Sequence, residues 1–226
     1  MKAIILLSGG IDSTLALALA QSQGRECYAV SFNYGQRHRI ELRSALAIAK
    51  HYKISHKIIK IDPSSFAGSS ALVSNDKIPQ NRTTNQIENG GIPSTYVPAR
   101  NTLFLAYALA QAEIIDAQEI YLGANAMDYK AYPDCRPEYH KAFQGMMNLA
   151  TKQAVEGMAP RLMTPLVQWD KEEIIRQAQA LNVPFEKTLS CYNPSARGHH
   201  CGSCDACMLR REGFAKASVQ DLTKYQ

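Results

Sequence analysis

Residues 3–14 read Ala3-Ile4-Ile5-Leu6-Leu7-Ser8-Gly9-Gly10-Ile11-Asp12-Ser13-Thr14. Five consecutive apolar residues suit a short strand buried on both faces, as in the interior of a parallel sheet. Leu15, Leu19 and the alanines around them then recur at helical spacing over Asp12–Gln23, and Gly24 is a stop signal. The stretch therefore predicts strand, tight turn and helix. The turn itself carries chemistry. Paired glycines let the backbone point N–H groups at an anion, and a helix N-terminus adds its dipole. Ser8, Ser13 and Thr14 offer hydroxyls, and Asp12 has the chemistry to hold a magnesium ion that bridges phosphates. The loop matches neither GK[ST] nor GxGxxG. The same residues also suit a plain turn with an Asp or Ser cap.

Outward from this unit the alternation continues. Strands are expected at 27–33, 56–61, 119–124 and 161–167, and helices near 38–51, 101–115, 136–153 and 171–181. That rhythm predicts a doubly wound, Rossmann-like parallel sheet of five strands, too few for a (β/α)8 barrel. Two segments break it. Residues 63–98, rich in Ser, Asn, Gly and Pro, read as a long functional or disordered loop. Residues 188–212 are dense in Cys, Gly and Arg. The expected division is a nucleotide-binding α/β domain over 1–187 and a small metal-binding appendix over 188–226.

The 226-residue chain, 46% hydrophobic and 20% charged, is long enough to bury a core without disulfides. A run such as Lys2-AIILL superficially resembles a signal peptide, but Asp12 interrupts it and no apolar stretch of membrane-spanning length follows. The expectation is a cytoplasmic protein with no membrane partner, in which the six cysteines point to ligands or catalysts in preference to disulfides. Cys191, Cys201, Cys204 and Cys207 form C-x9-C-x2-C-x2-C, a pattern for one structural Zn2+ with a closed thiolate shell. Free thiols and an iron–sulfur cluster are the alternatives. His199 and His200 read as loop residues, and Cys27 as an inert core residue. Cys135 sits beside Arg136, which favours a thiolate. The formal charge of +5 falls to about +3 once four thiolates and one zinc are counted, which argues against direct nucleic-acid binding.

SGGIDST resembles the signature loop of the PP-loop ATP pyrophosphatase superfamily. Further stretches narrow the likeness: Tyr34-Gly35-Gln36-Arg37-His38-Arg39, Val97-Pro98-Ala99-Arg100-Asn101, Asp128-Tyr129, Tyr132-Pro133-Asp134-Cys135-Arg136, Thr164-Pro165-Leu166 and Thr188 to Asn193. In this order they resemble the 7-cyano-7-deazaguanine synthase family. The resemblance implies an ATP-dependent carbon–nitrogen ligase of queuosine biosynthesis. Such an enzyme converts 7-carboxy-7-deazaguanine and ammonia to the nitrile through an activated carboxylate and an activated amide. It also implies nucleotide contacts along Leu7, Ser8, Gly9, Gly10, Ile11, Asp12, Ser13, Thr14, Leu15, Ala16 and Leu17, with Asp12 and Ser13 catalytic and Mg2+ on the phosphates. Arg100, Asp128, Tyr129, Asp134, Cys135 and Arg136 are the candidate substrate contacts, and Tyr132 a candidate stacking residue. Ala99 stands where a glycine is expected, which implies no special backbone requirement there. A homodimer is the expected assembly. A tRNA-modifying PP-loop enzyme and a non-catalytic zinc-ribbon module are the competing readings.

Overall fold

The computed structural model describes residues 1–37 and 39–226, together with every side chain among them except that of Tyr129. The chain runs β1 (Lys2–Leu6), α1 (Ile11–Ser22), β2 (Glu26–Asn33), α2 (Ile40–His51), β3 (Ser55–Lys60), α3 (Thr84–Asn89) and α4 (Arg100–Ile115). It continues with β4 (Glu119–Tyr121), α5 (Ala126–Ala131), α6 (Pro137–Ala150), α7 (Lys152–Val155), β5 (Arg161–Met163), α8 (Lys171–Ala180) and α9 (Asp205–Ala217). All strand pairs are parallel, in the order β3-β2-β1-β4-β5. The expected five-stranded doubly wound sheet is borne out.

β1 lies at the centre, which explains its unbroken apolar run. Ile4 and Leu6 face α4 and α6 with Val30, Phe32, Leu105, Leu109, Phe143 and Met147. Ala3, Ile5 and Leu7 face the opposite layer of α1 and α2 through Leu17, Ala20, Ala45 and Ile48. Alternate residues of one strand thus feed two cores. The chain order reverses between β1 and β4, and the loops leaving those two strands open a crevice between them. Ligands of open α/β sheets bind at such a switch point. No helix of the described residues is long and apolar enough to cross a membrane.

Four expectations about the elements need correction. β4 and β5 end at Tyr121 and Met163, three and four residues short of the expected ends. β4 cannot simply continue, because Gly123 runs so close to α1 that a Cβ there would sit 2.9 Å from the Ser13 amide nitrogen. The helix expected over 136–153 breaks at Thr151, which is extended and caps α7 by accepting from the Ala154 N–H. The 63–98 segment is not bare loop. It holds α3, capped reciprocally by Thr83 and Gln86, and a bridge from Gln80 to Cys204. α5 and α9 were not foreseen; α5 is capped by Asn125, and α9 packs on α8 through Phe214 and Ile175.

Candidate active site

The Ser8–Thr14 turn is held by its own short side chains. The Ser8 amide donates to Ser13 Oγ at 3.2 Å, and the two hydroxyls lie 3.0 Å apart. Ser13 Oγ and Thr14 Oγ1 both donate to the Gly10 carbonyl, at 3.1 and 2.7 Å. Gly10 is the extended N-cap residue of α1, and no side chain caps the helix there. A cap left to no side chain is an opening for an anion. Gly9 has φ +90°, and a Cβ on it would lie 2.5 Å from the Glu41 carbonyl oxygen, so both its torsion and its closeness to α2 demand glycine.

These residues open onto a cavity of about 300 Å³, bounded by the carboxyl ends of β1, β2 and β4. Leu7, Ser8, Gly10, Ile11, Asp12 and Ser13 line it. Leu15, Ala16 and Leu17 do not; they are wholly buried in the core, because α1 needs that face for packing. Thr14 is equally buried.

The Asp12 carboxylate is held by Lys171, whose Nζ donates at 2.7 and 2.6 Å, and by Asn125 Nδ2 at 3.2 Å. Sequence reading missed Lys171, yet a signal existed: a lysine as the first residue of a helix opposes the dipole. Asp128 lies beside this pair and caps α5, accepting from the Asn125 amide. Burial pushes its carboxyl up to about 6, with Lys171 opposing and Asp12 adding to the rise.

At the far side, Arg100 donates to the Tyr34 hydroxyl at 3.2 Å and stands 5.9 Å from that ring's centroid. Ala99 before it is left-handed, at φ 52° and ψ 23°. The backbone requirement expected to be absent is therefore present. Tyr132 lines the cavity, stacked against Tyr96 at 6.2 Å, with its hydroxyl 3.1 Å from Thr95 and 3.5 Å from Tyr192. Asp134 and Arg136 stand apart from the cavity lining. Asp134 is buried and accepts from the Asn101 amide at 2.9 Å, tying down the first turn of α4, while Arg136 is exposed. Cys135 does line the cavity, but burial pushes its thiol well up, and Asn101 Nδ2 donates to its sulfur at 3.1 Å. The thiolate expected from its neighbour Arg136 is not favoured. Arg37 reaches the rim and donates to the Asp76 carbonyl at 2.9 Å. His38 and the Tyr129 side chain lie outside the described residues.

The sulfurs of Cys191, Cys201, Cys204 and Cys207 all lie within 4.8 Å of one another, so one metal ion can be held among them. Amides point at them: Asn193 and Cys201 donate to Cys191 Sγ at 3.2 Å, and Cys204 to Cys201 Sγ at 3.3 Å. Such donors favour thiolates, and four thiolates so close need a cation. His200 is buried, not an open loop residue, and its Nε2 accepts from the Ser190 amide at 3.0 Å. The segment leading into the cluster closes the cavity. Leu189, Ser190, Cys191 and Tyr192 line it, and the Leu189 amide donates to the Gly9 carbonyl at 2.8 Å. Arg210, 2% exposed, binds Asp221 through Nη2 at 3.0 Å and Thr188 Oγ1 at 2.9 Å. It thereby staples α9 and the C-terminus to that roof.

Comparison with known proteins bears on the fold and on the family. The chain resembles the predicted subunit of tRNA methyltransferase from Methanocaldococcus jannaschii, with TM-score 0.50, 18% identity, and 79% of this chain and 74% of that one covered. It also resembles NMN synthetase from Francisella tularensis, with TM-score 0.50, 19% identity, and 97% and 77% covered. At those identities the likeness speaks for the fold alone. Sequence says more. A 7-cyano-7-deazaguanine synthase from Cellvibrio japonicus is 48% identical over 225 residues, 99% of this chain and 97% of that one. One from Desulfatibacillum aliphaticivorans is 49% identical over 226 residues, covering 99% and 96%. The profile of queuosine biosynthesis protein QueC matches residues 2–218, and the chain belongs to that family.

Proposed function

We propose that this chain is an ATP-dependent ligase that converts 7-carboxy-7-deazaguanine and ammonia to 7-cyano-7-deazaguanine. The observation that carries the reading is the meeting, in one cavity, of an uncapped glycine turn, the Asp12–Lys171 pair and Arg100, in a chain of this family. A carboxylate is a poor electrophile, and its oxygen leaves only when attached to phosphate. Backbone N–H groups of the Ser8–Thr14 turn and Lys171 stabilise the charge that develops on phosphate as that bond forms. Ser8 and Ser13 place their hydroxyls on the same turn. Asp12 and Asp128, two neighbouring carboxylates, have the donor set for Mg2+, which supplies charge neutralisation on the phosphates. Arg100 offers a planar guanidinium to the substrate carboxylate, Cys135 contributes apolar wall, and Tyr132 offers a ring face to the flat base.

Zn2+ is the metal proposed for Cys191, Cys201, Cys204 and Cys207, one per chain and structural, since four sulfurs fill a tetrahedral shell. Residues 188–226 then act as a metal-pinned roof on the nucleotide-binding unit 1–187. A cytoplasmic homodimer is the proposed setting.

Incubating the purified protein with ATP, Mg2+, ammonium and 7-carboxy-7-deazaguanine should yield the nitrile, read by mass. No nitrile from protein that retains metal and binds ATP would overturn the reading.

A further inference from the structure

Three carboxylates line the cavity, and their surroundings differ. Asp12 is neutralised by Lys171. Asp128 is turned back on the Asn125 amide, beside the same lysine. Glu41, near the start of α2, has only a neutral partner among the described residues: its Oε1 accepts from Gln36 Nε2 at 2.9 Å. Gln36 is itself buried and locked, accepting from the Tyr34 amide and donating to the Phe32 carbonyl, both at 2.9 Å. The carboxylate is thus oriented by an amide, with no ion pair among the described residues. Leu42, Leu72 and Phe104 contribute to the same lining. The titratable or charged groups that bear on Glu41 among the described residues are Tyr34 and Arg100, which bond to each other. The backbone of Glu41 abuts Gly9, placing it next to the phosphate turn.

We infer that Glu41 is the cavity's ammonium site, binding NH4+ through the carboxylate that Gln36 orients and then taking one of its protons. The inference rests on the ligase reading above. A single carboxylate held by a neutral amide and flanked by Leu42, Leu72 and Phe104 suits a small monovalent cation with several N–H donors; a divalent ion would demand more oxygen ligands. Near neutral pH the reagent is overwhelmingly ammonium, which has no lone pair for attack. Proton transfer to a Glu41 oxygen frees that pair. The nitrogen then forms its bond to the activated carbon, the carbon–oxygen bond breaks, and the leaving phosphate takes its electrons. A second proton is lost from nitrogen to solvent as the amide forms. Burial pushes the Glu41 carboxyl up to about 7, with Gln36 and Arg100 opposing the rise, so the group titrates where such a base works best.

The test compares Glu41→Gln with the unaltered enzyme, using ammonium or hydroxylamine, a nucleophile already neutral near pH 7. Expected for Glu41→Gln is a fall of about 10²-fold in kcat/KM for ammonium. The KM for ATP should hold, and the rate should keep rising with pH as free ammonia accumulates. Hydroxylamine should restore turnover, read as hydroxamate. Equal losses with both nucleophiles, or no loss with ammonium, would overturn the assignment. Should Glu41→Gln fail to fold, Glu41→Asp carries the same comparison through a raised KM for ammonium alone. Unaltered enzyme that makes neither amide, nitrile nor hydroxamate would overturn the ligase reading itself.

Discussion

The floor and the roof of the cavity are built on opposite principles. The floor, Ser8–Thr14, has a local frame: the bonds that shape the turn run among residues at most five apart, while the Gly9 carbonyl and the Asp12 carboxylate reach out to Leu189 and Lys171, and its position follows from being the exit of a central parallel strand. The roof, Leu189–Tyr192 with α9, owes its position over the cavity to longer-range ties. It is placed by the sulfur cluster, by Arg210, by the ion pair of Arg82 with Asp205 and by the 80–204 bridge. The comparison teaches that binding surfaces of equal chemical weight can differ sharply in what holds them. Lesions in the roof should cost stability, and lesions in the floor should cost turnover.

Cys204→Ala should have the largest effect. Metal content should fall and Tm drop steeply, because a structural metal supplies several kcal/mol of folding energy. Retained metal with unchanged Tm would abolish the contrast. Arg210→Met comes next, at about 3–5 kcal/mol, since it strands Asp221 as a largely buried, unpaired charge. Burial alone would raise the Asp221 carboxyl, but Arg210 outweighs it and holds the group below its ordinary range. That depressed pKa gives stability present in full above about pH 4, the unfolded value, and lost as pH falls through the folded one. Acid unfolding of Arg210→Met should therefore lose that part of its pH dependence; an unchanged acid limb would exclude the pair as its source.

In the floor, Asp12→Asn should lower kcat by about 10²–10³-fold while Tm stays within a few degrees, because the pair with Lys171 is partly exposed. Near-normal turnover would remove Asp12 from the chemistry. The smallest effect sharpens the comparison from the other side. Ala99→Gly should stabilise the chain by about 1 kcal/mol in a denaturant midpoint, since it relieves a left-handed alanine. Destabilisation there would mean that the alanine methyl packs more than its torsion costs.

Some of this was open to a reader of the residues. The run Ala3–Leu7 is apolar because β1 has neighbours on both sides and helices on both faces, and a period of that kind survives without knowledge of the partners. The four cysteines declared themselves through spacing alone. Lys171, Glu41, Gln36, Asn125 and Gly123 did not, because each acquires meaning from a residue far away in sequence or from a backbone approach. Asp134 misled for the same reason: an aspartate beside a proline looks available, but the α4 amide of Asn101 had claimed it.

By itself the amino-acid order determined the βα alternation, the glycine turn at the first strand exit and a cysteine set able to hold a metal, since strand burial, turn torsions and cysteine spacing are local properties. Tertiary structure alone decided which carboxylate meets a lysine, which one an amide orients, and that the cysteine segment closes over the glycine turn. Those outcomes depend on charge compensation and close packing between elements up to 159 residues apart, as Asp12 and Lys171 are.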